Sequence, residues 1–216
     1  MAFDGASLTM ADRVVLLHGI WNNRPVLWPL AARLRAAGFE TETFGYPSVF
    51  GGAEAAAQQL AGKLRLDARK RKAPAHLVGH SLGGLVSLLA AQDPELPVQR
   101  IVCLGSPLTG SGAARAVHGR GLGFGMGRSA RVLLKGLEHA PQHREVGAIA
   151  GTLEAGLGRV FGTFDGPHDG TVAVDETRLP GLVDHFEVRA SHMGLLVSRA
   201  AAEAVANFLR MGRFAG

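Results

Sequence analysis

Residues 75–84 read Ala75-His76-Leu77-Val78-Gly79-His80-Ser81-Leu82-Gly83-Gly84. A short apolar run meets a serine set between glycines and passes straight into Leu85-Val86, the start of a segment with helical spacing. The letters G-x-S-x-G at 79–83 are weak alone, because a chain with 30 glycines meets such a pattern easily. Their context is specific. A strand over Ala75–Gly79 and a helix over Leu82–Gln92, stopping before Pro94, put Ser81 on a sharp strand-to-helix turn. Such a turn strains the backbone, needs flanking residues without side chains, and leaves the hydroxyl standing above the edge of a sheet.

The same alternation extends outward from that turn. Apolar runs bounded by turn residues predict strands at Arg13–Leu17, Thr41–Gly45, Ala75–Gly79, Arg100–Leu104, Val146–Ala150 and Asp184–Arg189. Helical spacing predicts helices over Pro25–Ala37, Ala53–Arg71, Leu82–Gln92 and Gly194–Arg210, the last placing Val197, Ala201, Val205 and Leu209 on one face. Most of the strands are too apolar for a half-exposed hairpin. The expected fold is therefore α/β, a mainly parallel sheet of about six strands with helices on both faces.

A neutral serine is a poor nucleophile, so Ser81 implies a base and a group that orients the base. On this architecture the acid and then the histidine follow the serine along the chain. Of the histidines after Ser81, only His192 lies in a short loop, Ala190-Ser191-His192-Met193-Gly194, between the last strand and the last helix. The acid should lie beyond the strand Val146–Ala150, where residues 164–174 read FDGPHDGTVAV. Asp169, opening an Asp-Gly turn that leads back into apolar sequence, is preferred to Asp165, whose Asp-Gly-Pro setting is plain turn chemistry. His168 has no derivable role.

Two backbone N–H groups should meet the negative oxygen that forms during acyl chemistry. Leu82, directly after the serine, supplies one. Ile20, in His18-Gly19-Ile20-Trp21 at the end of the first strand, supplies the other.

From Ser106 to Arg144 the alternation breaks, and glycines fall at 119, 121, 123, 125 and 127. This is the expected mobile part of the chain, an insertion with little intrinsic order whose Leu122, Phe124 and Met126 project as apolar teeth. No Gly-Lys-Ser/Thr follows, so a phosphate loop is excluded. The basic residues Arg115, Arg120, Arg128, Arg131 and Lys135 precede any acid there, and either form a positive rim or a solvated face.

With 216 residues and 47% hydrophobic content, one domain over residues 1–216 is expected. The excess of 23 Lys and Arg over 18 Asp and Glu falls short of a nucleic-acid signature. The lone Cys103, inside an apolar strand, reads as a buried structural thiol. The start MAFDGASLTMADR lacks a charged-then-apolar leader and no run is long enough to span a membrane, so a cytoplasmic protein is expected.

VVLLHGIW, GHSLGG, DGTV and SHMG, in that order, resemble the α/β-hydrolase superfamily, in particular small bacterial lipase- or esterase-like members. The resemblance runs from Arg13 to Arg210 and suits compact members without the first two strands. It implies Ser81 as nucleophile, Asp169 as acid, His192 as base, and Ile20 and Leu82 as oxyanion donors. It also implies a cap or lid at 106–144, with Trp21, Leu122, Phe124 and Met126 lining an acyl site, no cofactor and no metal. The expected activity is hydrolysis of carboxylic esters of small-molecule or lipid acids, with transient contact between the lid and a membrane surface. Thioester hydrolysis and acyl transfer use the same parts, and a non-catalytic binding or sensing module could keep the same fold.

Overall fold

Five consecutive buried residues, Arg13–Leu17, form the first strand, β1, and their side chains alternate between two faces. Val15 and Leu17 join one apolar cluster, Val14 and Leu16 the other. The computed structural model describes residues 12–154, 164 and 166–214. In it β1 pairs with β2 (Glu40–Phe44) on one side and β3 (Ala75–His80) on the other, and β4 (Val98–Leu104), β5 (Glu145–Gly151) and β6 (Asp184–Val188) extend one parallel sheet of order β2-β1-β3-β4-β5-β6.

This is the expected α/β-hydrolase sheet, with strand ends shifted by one or two residues. The edge strands β2 and β6 carry the polar sequences ETETF and DHFEV, suited to a solvated sheet margin. On one face α2 (Ala53–Arg71) and α3 (Leu82–Ala90) bury Leu60, Leu64, Leu85 and Leu88. On the other, α1 (Trp28–Ala36) buries Leu30 and Leu34, and the last helix buries Val205, Phe208 and Leu209.

Two predicted helices are divided. The first begins as a single 3-10 turn, Arg24–Leu27, before α1. The last is a 3-10 turn at Gly194–Leu196, a break, and then a helix over Arg199–Met211. Ser198 causes the break, because its hydroxyl accepts the Ala201 N–H and starts a fresh helix. Val197 consequently lies outside the apolar face on which its spacing placed it and is exposed.

Between Ser106 and Arg144 lie α4 (Gly112–Gly119), a 3-10 segment (Gly123–Ser129) and α5 (Ala130–Lys135). The glycine-rich stretch is more regular than its composition implies, because tertiary hydrogen bonds hold it. Arg128 N–H donates to the Val49 carbonyl (3.0 Å), Ser129 Oγ to the Ser48 carbonyl (2.6 Å) and Ser111 N–H to the Leu133 carbonyl (2.8 Å). Among the described residues no helix is long and apolar enough to cross a membrane.

The sheet order fixes where a ligand can sit. The chain leaves β1 for β2 on one side and returns to β3 on the other, so the loops after β1 and β3 diverge. A cleft opens at such a switch point, beyond the carboxyl ends of the strands. Ile20 follows β1 and Ser81 follows β3.

Candidate active site

Ser81 sits between β3 and α3 with φ 54 and ψ −123, a conformation that side chains with a Cβ rarely adopt. Its N–H donates to the Leu104 carbonyl (2.9 Å), which holds the strained residue at the end of the sheet. The turn closes so tightly that a Cβ on Gly79 would lie 2.3 Å from the Gly83 carbonyl, and one on Gly83 would lie 2.5 Å from the Leu17 carbonyl. The glycines of the motif are therefore steric requirements. Leu82 opens α3, so its N–H lies in the first turn, where an α-helix offers no internal acceptor.

Asp169 is buried and its carboxylate is fully engaged. Oδ1 accepts the Thr171 and Val172 N–H groups (2.9 and 2.8 Å), so the carboxylate folds its own turn. Oδ2 lies 2.7 Å from His192 Nδ1, and the Asp169 main-chain carbonyl accepts the His192 N–H (2.8 Å). A carboxylate oxygen can only accept here, so Nδ1 of His192 carries the hydrogen and Nε2 is left as the basic nitrogen. His192 and Ser81 line the same cleft. Asp165 lies outside the described residues. His168 braces the same loop: its Nδ1 accepts the Gly170 N–H (3.1 Å), and its ring stacks on Phe164 with centroids 4.3 Å apart.

The segment after β1 is a second strained turn. Trp21 has φ 58, and the Asn22 N–H reaches the Gly19 carbonyl (3.4 Å). His18 Nδ1 lies 2.8 Å from that same carbonyl, while its Nε2 faces the Tyr46 N–H (3.4 Å). The Tyr46 N–H needs an acceptor, so Nε2 is bare and Nδ1–H donates to Gly19. Burial pushes the His18 pKa down, which favours that neutral form. The Gly19 carbonyl and the Ile20 N–H belong to one trans peptide and point opposite ways. Anchoring the carbonyl on His18 thus aims the Ile20 N–H away from His18. Tyr46 stacks on the His18 ring at 4.5 Å and its hydroxyl donates to the His18 carbonyl (2.7 Å).

Between these loops lies a cleft of about 280 Å3. Ile20, Trp21, Val117, Met126, Leu133 and Met193 form most of its apolar wall, and among the described residues no Asp, Glu, Lys or Arg lines it. Of the apolar teeth expected from the insertion, Met126 alone reaches it. Leu122 and Phe124 are 48% and 80% exposed and lie outside the wall, because the 3-10 turn points them to solvent. Trp21 lines the cleft although 64% exposed, and its indole N–H donates to the Gly125 carbonyl (2.8 Å). Arg115, Arg120, Arg128, Arg131 and Lys135 are absent from the wall. Trp28 is exposed at the start of α1. Cys103 is fully buried, and its thiol is pushed up to about 12.

Three residues near the site carry no sequence signal comparable to G-x-S-x-G. His18 is one. The second is His80, inside the motif but in its variable position, with Nε2 3.0 Å from the His192 carbonyl. The third is Glu176, whose carboxylate accepts the Gly112 N–H of α4 and the Ala173 N–H (3.0 Å) of the acid loop. Burial raises the Glu176 pKa. Only its place two residues past the apolar VAV, beside Asp175, could have drawn the eye.

Residues 14–211 match the model of the Alpha/beta hydrolase family. No curated protein matches the chain in sequence. In three dimensions it is similar to the mature form of the Bacillus licheniformis lipase BlEst2, with TM-score 0.75, 18% identity, and coverage of 94% of this chain and 92% of that one. Phospholipase PlaB from Legionella pneumophila, solved with thio-NAD, aligns with TM-score 0.73 and 13% identity over 94% of this chain and 59% of its own. Carboxylesterase CesB from Bacillus subtilis aligns with TM-score 0.56 and 18% identity over 93% and 84%. At these identities the likeness is one of fold.

Proposed function

The chain belongs to the alpha/beta hydrolase family, and from that premise we propose that it is a serine esterase acting on uncharged carboxylic esters with medium-length acyl groups. The observation that carries the reading is the 2.7 Å contact between His192 Nδ1 and a buried, otherwise satisfied Asp169, beside a cleft that also holds the strained Ser81.

In this reading His192 Nε2 takes the Ser81 proton as Oγ attacks the ester carbonyl. The oxygen gains negative charge and is met by the Ile20 and Leu82 N–H groups, one such donor contributing on the order of 10²–10³ in rate. His192 then protonates the departing alcohol. Water, deprotonated by the same nitrogen, releases the acid from Ser81 and restores the enzyme. Asp169 keeps Nδ1 protonated and offsets the charge of the imidazolium. No cofactor or metal takes part.

The wall of the cleft supports the substrate class. A cleft of 280 Å3, at about 30 Å3 per water-sized group, takes on the order of ten such groups. The uncharged wall disfavours a carboxylate or phosphate on the acyl part. The chain works as one domain, and 106–144 serves as its cap by contributing Ala113, Ala114, Val117, Met126 and Leu133 to the wall. The exposed Trp21 and Phe124 support transient contact with a lipid surface.

A fluorophosphonate probe should label the protein at one site, and Ser81→Ala should abolish labelling and turnover while the protein stays folded. An unlabelled wild-type protein returns the reading to a binding module. A series of p-nitrophenyl esters should peak at medium chain length, and turnover of acetyl esters alone would remove the acyl-cleft reading. Faster turnover of acyl thioesters, or transfer to an added alcohol at the expense of hydrolysis, moves the assignment to those chemistries.

A further inference from the structure

We propose that His80 is a positioning residue that indexes the base to the nucleophile, its Nε2–H holding the main-chain carbonyl of His192 from the position next to Ser81. The inference rests on the esterase reading above. A general base must stand within hydrogen-bond reach of the nucleophile, and a misplacement of about 1 Å costs on the order of 10² in rate. Something must therefore register the loop after β6 against the turn after β3, with β4 and β5 between them in the sheet.

The hydrogen bonds of His192 identify what does so. Its N–H donates to the Asp169 carbonyl (2.8 Å) and its Nδ1 meets Asp169 Oδ2 (2.7 Å), so among the described residues two of its three fixed points belong to the acid loop. The third is the carbonyl, 3.0 Å from His80 Nε2. Among the described residues that hydrogen bond joins the main chain of the base to the turn of the nucleophile. The two imidazoles lie 4.7 Å apart, tilted by 45°. A carbonyl can only accept, so His80 Nε2 carries the hydrogen and Nδ1 is a bare lone pair.

Packing alone does not call for a histidine here. His80 Nδ1 is buried and has no hydrogen-bond partner among the described residues, a defect that costs about 1–3 kcal/mol. An apolar side chain would remove it. The ring also has to stay uncharged beside a base that becomes an imidazolium in each cycle. Burial, with the positive charge of His192 nearby, pushes its pKa down to about 3, opposed by the hydrogen bond to the His192 carbonyl and by Asp169, and reinforced by His18. A neutral donor at this position holds the carbonyl without adding a charge.

The test compares His80→Gln, His80→Asn and His80→Leu. The amide nitrogen of glutamine reproduces the reach of Nε2, that of asparagine falls short, and leucine has no donor. On the best p-nitrophenyl ester, kcat should fall about 10- to 100-fold in His80→Leu and His80→Asn, with KM within about threefold and melting temperature within a few degrees. His80→Gln should recover most of the lost kcat. A folded His80→Leu with wild-type kcat overturns the proposal. So does equal kcat in His80→Gln and His80→Asn, a comparison that still decides if the leucine variant does not fold. A wild-type protein that neither turns over esters nor labels at Ser81 removes the esterase reading and this one with it, whereas an active, labelled wild type with indifferent His80 variants removes this one alone.

Discussion

The turn that carries Ser81 and the loop that carries Asp169 meet at the carboxyl end of the sheet and are held by opposite means. Around Ser81 the constraint is repulsion: backbone runs so close to backbone that Gly79 and Gly83 leave no room for a Cβ. Around Asp169 the constraint is attraction, a set of hydrogen bonds from Thr171, Val172 and His192 to one residue, with Glu176 tying Ala173 to α4. A steric constraint dictates residue type at fixed spacing. A hydrogen-bonded one that runs through backbone N–H groups dictates little beyond a single acidic side chain.

The comparison breaks most violently at the glycines. Gly79→Ala forces a methyl group to within 2.3 Å of main chain that cannot yield, and overpacking of this kind costs about 1–3 kcal/mol or more. For a chain of this size that lowers the melting temperature by roughly 2–12 °C. Calorimetry and probe labelling should show both stability and Ser81 reactivity lost together. A variant with wild-type stability and labelling would mean that the turn has slack the glycines do not reveal.

The acid loop should lose activity without losing fold. Asp169→Asn keeps Oδ1 for Thr171 and Val172 and turns an N–H toward His192 Nδ1, which favours the tautomer with hydrogen on Nε2. That tautomer cannot accept the Ser81 proton, and kcat should fall by about 10⁴ with little change in the unfolding transition. Asp165→Asn, made in parallel, should stay within about twofold of wild type. Full activity in Asp169→Asn with loss in Asp165→Asn would exchange the two assignments.

These two means of restraint also divide what could be read from the chain. The sheet was legible because short, largely apolar runs such as those at Arg13–Leu17 and Ala75–His80 suit a strand covered on both faces. Ser81 was legible because glycine sterics put G-x-S-x-G between such a strand and a helix. His192 followed from chain order, and Asp169 from its Asp-Gly turn. The supporting groups were not legible. Nothing local distinguishes His18, His80 or Glu176, since each works on a backbone group that sequence does not show: the Gly19 carbonyl, the His192 carbonyl and the Gly112 N–H. The division of the last helix was hidden for a similar reason, because Ser198 is a cap only once its Oγ meets Ala201 N–H.

Glu176→Gln probes the hydrogen-bonded side more gently. The glutamine amide presents one acceptor where the carboxylate presents two, so either Gly112 or Ala173 loses its partner, at a cost of about 1–2 kcal/mol and roughly 2–8 °C in melting temperature. The pH dependence has a definite sign. Burial raises the Glu176 pKa above its ordinary 4.5. A raised carboxyl contributes stability that is complete below 4.5 and is lost as pH rises through the higher native value. Glutamine does not titrate, so the stability gap between wild type and variant should narrow as pH rises across that window. A gap that widens would show that the charged form is the better tie.

The smallest effect is expected where neither means of restraint is strong. Trp21 connects the turn after β1 to the 106–144 insertion through an indole hydrogen bond to the Gly125 carbonyl, 2.8 Å long, and is 64% exposed. Trp21→Phe keeps an aromatic wall on the cleft and deletes the donor. An exposed hydrogen bond is worth about 0.5 kcal/mol, the lower end of the usual range, so KM on a medium-chain ester should rise about twofold while kcat and the melting temperature hold. The direction carries the information. If the bond holds the insertion over the acyl group, its loss appears in KM; a change confined to kcat would instead tie Trp21 to the adjoining Ile20 peptide.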